Sequence, residues 1–106
     1  MYQYDIYNVK LDGIGSEQTG VRPCIIVSND MCNKFSPVIT IIPLTTKVKN
    51  SYLKTHCTIL SSSKPSIAMA EQIKTVDKKR IFEYINSLTQ NEIKNLKICI
   101  KIQLNL

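Results

Sequence analysis

The chain is poor in the residues that assemble cofactor sites. Its 106 residues include a single His, and its four cysteines (Cys24, Cys32, Cys57 and Cys99) show no CxxC spacing, so the two close ligand pairs that zinc requires are missing. No stretch approaches the roughly 18 apolar residues of a membrane span, and Met1-Tyr2-Gln3-Tyr4-Asp5 lacks the basic-then-apolar pattern of a secretion signal. The expectation is a cytoplasmic chain that meets no membrane and keeps its thiols reduced. The eight acidic residues are scattered, whereas metal-dependent nuclease chemistry gathers several carboxylates, so neither a magnesium site nor any other cofactor is expected. Only three Gly and four Pro stand against 43% apolar residues, which excludes a disordered or collagen-like chain.

What is present fits one domain over residues 1–106, with a core that buries roughly 65% of the unfolded surface. Cys24 lies in the run Cys24-Ile25-Ile26-Val27 and Cys99 between Ile98 and Ile100, positions that read as core packing. Lys and Arg outnumber Asp and Glu by 14 to 8, giving +6 and a pI near 9.2. Such an excess favours a polyanionic partner, nucleic acid first, with a merely soluble basic surface as the alternative.

Residues 4–9 are aromatic and β-branched and predict a first strand. All three glycines fall in the loop Asp12 to Gly20 that follows. Residues 22–28 predict a central strand with Pro23 near its start; residues 29–37 predict a linker with one helical turn, and 38–44 the next strand. Nine linker residues are too few for a parallel crossover, so these two strands should be antiparallel. Residues 54–60 alternate, with Thr55, Cys57 and Ile59 on one face and His56, Thr58 and Leu60 on the other. After a serine-rich turn, 67–73 predicts one more strand. Thr89-Gln90-Asn91-Glu92 is a capping box. The helix it starts carries Ile93, Leu96, Ile100 and Leu104 on one stripe and Ile98 and Ile102 on the other side, either a partner surface or scattered exposed residues. The fold class is therefore mainly antiparallel β with a C-terminal helix.

If the strands form a meander, one end of the sheet collects Arg22, Thr45, Thr46, His56, Glu71 and Gln72, beside the glycine loop and beside Lys47 and Lys49. A cationic, hydroxyl-bearing cluster at a mobile loop suits a phosphodiester; solvated loop ends without chemistry are the alternative. RNA offers a route that needs no metal. Its 2′-hydroxyl can attack the neighbouring phosphorus, leaving a 2′,3′-cyclic phosphate and a 5′-hydroxyl, and the protein then has to stabilise charge and move protons.

The stretch Gly15-Ser16-Glu17-Gln18-Thr19-Gly20-Val21-Arg22-Pro23, followed by Ile26-Val27-Ser28-Asn29-Asp30, Asn33 and Ser36-Pro37, resembles the MazF/PemK family of toxin endoribonucleases. The likeness continues through Pro43-Leu44-Thr45-Thr46, Thr55-His56 and Glu71-Gln72-Ile73-Lys74-Thr75-Val76-Asp77-Lys78-Lys79-Arg80, nearly the whole chain in the family's order. It implies an SH3-like barrel of the CcdB/PemK toxin type, a homodimer, and sequence-specific cleavage of single-stranded mRNA that inhibits translation and growth and is relieved by a cognate acidic antitoxin. The family's catalytic arginine corresponds to Arg22 in Gly20-Val21-Arg22-Pro23, and its catalytic threonine to Thr45. Ser16, Glu17, Gln18, Asn29, Thr46, Lys47, His56, Glu71 and Gln72 are the expected RNA-binding residues. The chain departs from the family pattern at Tyr4-Asp5, where Gly-Asp is usual, and in a loop that lacks the common proline.

Arg is a poor general base, so Arg22 would stabilise the pentacovalent phosphate or give a proton to the leaving 5′-oxygen, with Thr45 donating to a non-bridging oxygen. His56 has the chemistry of a proton acceptor, but a lone His on an alternating strand is more often structural, and Glu17 either binds a base or braces the loop. Two other classes compete. A CcdB-like poison of DNA gyrase would carry a tryptophan near its C-terminus, and this chain has none. A peptide-binding SH3-like module would need an aromatic-lined groove, for which two Phe and five Tyr are a thin supply.

Overall fold

The computed structural model describes residues 1–47 and 53–106; Lys49 lies outside the described residues. Strands β1 (Asp5–Asp12) and β2 (Thr19–Ile26) form a hairpin that closes with Asp12 opposite Thr19. Asn29 caps helix α1 (Asp30–Phe35), accepting a hydrogen bond from the Cys32 amide at 2.9 Å, and β3 (Val38–Thr45) returns antiparallel to β2 as the short linker requires. Then come β4 (His56–Ile59), β5 (Ser66–Met69), β6 (Lys74–Asp77), β7 (Ile81–Ser87) and helix α2 (Gln90–Leu104). Every strand pair is antiparallel. The sheet runs β4-β5-β3-β2-β1-β7 with β6 also on β3, and its two end strands do not pair with each other. The result is the expected class, a mainly antiparallel, partly open barrel with a C-terminal helix.

Alternation along the central strands feeds two cores. Ile6, Ile25, Ile42 and Leu44 pack with Ile59, Ala68, Leu96 and Cys99, while Val9, Leu11, Cys24, Ile26, Ile39 and Ile41 pack with Val76 on the other face. Both faces of β2 are covered, so Cys24-Ile25-Ile26 is apolar without a break.

The strand order corrects the meander. β5, not β4, pairs with β3, and β4 lies outside β5. Nor is 67–73 one strand: it breaks at a 3-10 turn, Ala70–Gln72, after which β6 rejoins β3. Neither β6 nor β7 follows from a local pattern. β6 has one buried residue, Val76, and β7 pairs with β1 through two register shifts that break its period.

The capping box on α2 forms as expected. Ile93, Leu96 and Ile100 face the core together with Cys99, but Leu104 is exposed; Ile98 and Ile102 are exposed on the other side. Among the described residues no helix is long and apolar enough to cross a membrane. Buried Glu92 does more than cap. Its carboxylate accepts from the amides of Leu60 at 2.7 Å, Ser61 at 3.2 Å and Thr89 at 2.9 Å, and from the Ser61 hydroxyl. Burial alone would raise its pKa, yet these donors hold it below the ordinary 4.5. A depressed carboxylate contributes stability that is complete above the unfolded value and is lost as pH falls through the folded one. Glu92→Gln should cost about 2 kcal/mol at pH 7 and flatten the fall in stability below pH ~4.3, as urea melts across pH 2–7 would measure. An unchanged acid limb would contradict this.

Candidate active site

Two local devices shape the site. The first is the loop between β1 and β2. Its turn is closed by the Glu17 carboxylate accepting from the Ile14 amide at 2.8 Å, and by the Glu17 amide donating to the Ile14 carbonyl at 3.0 Å. Gly13 is required there, because a Cβ would lie 2.3 Å from the Gln18 carbonyl oxygen and 2.6 Å from Glu17 Cβ.

The second device is the 3-10 turn. From Leu44↔Ala68 to Ile41↔Lys74, β3 steps back three residues while its partner advances six. The surplus of three is Ala70-Glu71-Gln72, looped out of the ladder. Glu71 and Gln72 thereby join the wall of a cavity of about 740 Å³, with Ser16, Glu17 and Gln18 from the loop, Thr45 and Lys47 at the end of β3, and His56 at the start of β4. Leu53 and Met69 also line it. Sequence reasoning missed both: Leu53 sits in a stretch it left unassigned, and Met69 read as ordinary strand.

Within the cavity, His56 Nε2 lies 2.6 Å from Glu71 Oε2, and the Thr55 hydroxyl donates to Glu71 Oε1 at 2.9 Å. Only 9% of the His56 side chain is exposed, against 30% for Glu71. The Thr45 hydroxyl accepts from the Lys47 amide at 3.1 Å, so its own O–H remains available to a ligand. Gln72 reaches the loop, accepting from the Gln18 amide at 2.9 Å and donating to the Ser16 carbonyl at 3.3 Å.

Arg22 is exposed on β2, outside the cavity wall. The β2-β3 ladder ends at Cys24↔Pro43, two residues short of both Arg22 and Thr45, which lie at the same end of the two strands. Its Nε donates to the Thr19 carbonyl at 3.0 Å. Among the described residues it makes no ion pair, unlike Arg80, which meets Asp12 at 2.9 Å. Thr46 is exposed just beyond Thr45. Asn29 does not join the cluster: it follows the far end of β2, and its side chain is engaged in capping α1.

Two of the four thiols are poor nucleophiles. Burial pushes Cys24 and Cys57 up to about 12, the latter with help from Cys99 and Glu92 nearby. Among the described residues no three His, Cys, Asp or Glu side chains converge to hold a metal ion.

A family profile described as PemK-like, MazF-like toxin of type II toxin-antitoxin systems matches residues 2–104. The endoribonuclease MazF of Staphylococcus saprophyticus is 35% identical over 111 residues, covering 100% of this chain and 92% of that protein. A crystal structure of MazF from Deinococcus radiodurans superposes with a TM-score of 0.87 at 16% identity, covering 100% of this chain and 97% of that one. A mycobacterial endoribonuclease solved in complex with its cognate antitoxin gives 0.83 at 20%, covering 100% and 96%. These two structures speak for the fold. The gyrase-poison alternative finds no support among these relatives.

Proposed function

The chain belongs to the family of PemK-like, MazF-like toxins of type II toxin-antitoxin systems and is a toxin endoribonuclease of that family; we propose that it cuts single-stranded mRNA without a metal, by attack of a 2′-hydroxyl on the adjacent phosphorus. The products are then a 2′,3′-cyclic phosphate and a 5′-hydroxyl, and loss of message stops translation and growth. What supports this reading is a cavity of about 740 Å³, wide enough for an unstacked base, lined by Thr45, Lys47, His56 and Glu71, with the exposed Arg22, which makes no ion pair among the described residues, on the adjoining strand β2. Arg22, a permanent cation, stabilises the pentacovalent phosphorus and hydrogen-bonds to the leaving 5′-oxygen, which takes its proton from water. Thr45 donates to a non-bridging oxygen. Ser16, Glu17, Gln18, Thr46 and Lys47 line the path of the RNA.

The proton of the 2′-hydroxyl goes to the His56-Glu71 pair, whose 2.6 Å contact makes the two groups act as one. His56→Gln and Glu71→Gln should each slow single-turnover cleavage about fiftyfold, somewhat below the usual range for general-base catalysis. The double variant should be no slower than the worse single. Multiplying losses would separate the two residues.

The molecule works as a homodimer, for which exposed Ile98 and Ile102 offer an apolar surface. An acidic antitoxin segment is drawn to a chain of net charge +6 and covers the site. Sedimentation as a monomer at micromolar concentration would count against the dimer, and inhibition undiminished at high salt against the electrostatic capture. The reading as a whole is tested by incubating the protein with mixed single-stranded RNA in EDTA. Cleavage should persist; full loss, restored by magnesium, would overturn it.

A further inference from the structure

We infer that Gln72 is a positioning residue that sets which RNA sequences are cut by latching the loop Gly13–Gln18 against the 3-10 turn, without reading a base itself. The inference rests on the RNA-cleaving function proposed above. Both ends of the carboxamide are engaged: Oε1 accepts from the Gln18 amide at 2.9 Å and Nε2 donates to the Ser16 carbonyl at 3.3 Å. The reverse orientation of the amide would set NH2 against N–H, so the network fixes it. Gln is suited to this place because the loop offers one donor and one acceptor two residues apart; Glu could only accept and Lys only donate.

The anchor for the latch is firm. Gln72 belongs to the turn looped out between β5 and β6, and its neighbour Glu71 is held by Thr55 and His56. The loop it holds carries Gly13 and Gly15 among its six residues, so its backbone is permissive by composition. Unlatched, such a segment samples many conformations and must be ordered again each time RNA binds. Latched, Ser16, Glu17 and Gln18 are a preformed wall of the cavity. Selectivity for bases then depends on the shape of that wall.

Two variants reach the loop by independent routes. Gln72→Ala removes both latch bonds. Gly13→Ala keeps the latch residue but places a Cβ 2.3 Å from the Gln18 carbonyl oxygen, forcing the loop to shift. Cleavage of a randomised single-stranded RNA pool, read by sequencing the new ends, gives the cut motif for each; single-turnover kinetics separate half-saturation from the maximal rate. Both variants should relax the motif at the same nucleotide positions and raise the half-saturating RNA concentration roughly tenfold, the scale of two modest hydrogen bonds. The maximal rate should fall less than threefold. Gln72→Glu keeps the bond to the Gln18 amide and should fall between wild type and Gln72→Ala. An unchanged motif in Gln72→Ala overturns the inference, as does a change confined to Gln72→Ala while Gly13→Ala cuts as wild type, which would make Gln72 a direct reader of a base. Wild-type protein that cuts no RNA would instead sink the proposed function.

Discussion

Arg22→Ala should slow single-turnover cleavage of RNA by a hundredfold to a thousandfold while leaving the affinity for RNA within a few-fold of wild type. Arg22 and Thr45 each lie two residues beyond the last β2-β3 pair, Cys24↔Pro43, and in the proposed mechanism one phosphate meets both side chains. A guanidinium that faces charge developing on phosphorus helps the transition state more than the ground state, and loss of one such donor typically has this effect. Its contribution to docking is one phosphate among several. Thr45→Ala, which removes a neutral donor, should cost only about tenfold. Arg22→Lys keeps the charge but not the fork and should recover little of the rate. If affinity falls in proportion to rate, Arg22 is a docking residue and the mechanism has lost its main stabiliser.

A substrate with a 2′-deoxy sugar at the nucleotide 5′ to the cut should not be cleaved at all, although it binds almost as well as RNA. The phosphates that meet Arg22 and Lys47 are unchanged, so the electrostatic part of binding survives. The nucleophile is gone. Cys57, on the strand that carries His56, does not line the cavity, and burial pushes its thiol up to about 12. Cleavage of the deoxy substrate at even a hundredth of the normal rate would exclude cyclisation.

Much of this site is legible in the sequence, for local reasons. The short linker between 22–28 and 38–44 dictates antiparallel pairing, and that alone brings Arg22 towards Thr45. The capping box at Thr89 follows from local chemistry and forms; of residues 54–60 only His56–Ile59 is strand, with Ile59 buried, while Thr55 lies outside it and meets Glu71 together with His56. What could not be read depends on distant partners. The run Ile67 to Ile73 looks like one strand because apolar residues bracket Glu71-Gln72 and no Gly or Pro interrupts it; only the two registers against β3 reveal the three residues looped out of it. The bonds from Gln72 to Ser16 and Gln18 link positions 56 and 54 residues apart, beyond any local pattern. Glu92 was legible as a cap but not as the anchor of Leu60 and Ser61, some 30 residues earlier in the chain. Asn29, expected from its motif to meet RNA, is engaged as the N-cap of α1, a role its position before the helix allows.

The most direct test of metal-free cleavage by 2′-hydroxyl attack is the chemistry of the ends, read by mass spectrometry of a short single-stranded RNA cut by the protein in EDTA. A 2′,3′-cyclic phosphate on one fragment and a 5′-hydroxyl on the other is the expected result. A 3′-hydroxyl with a 5′-phosphate would mean that water, not the ribose, attacked phosphorus, and would contradict the roles given to Arg22, Thr45 and the His56-Glu71 pair.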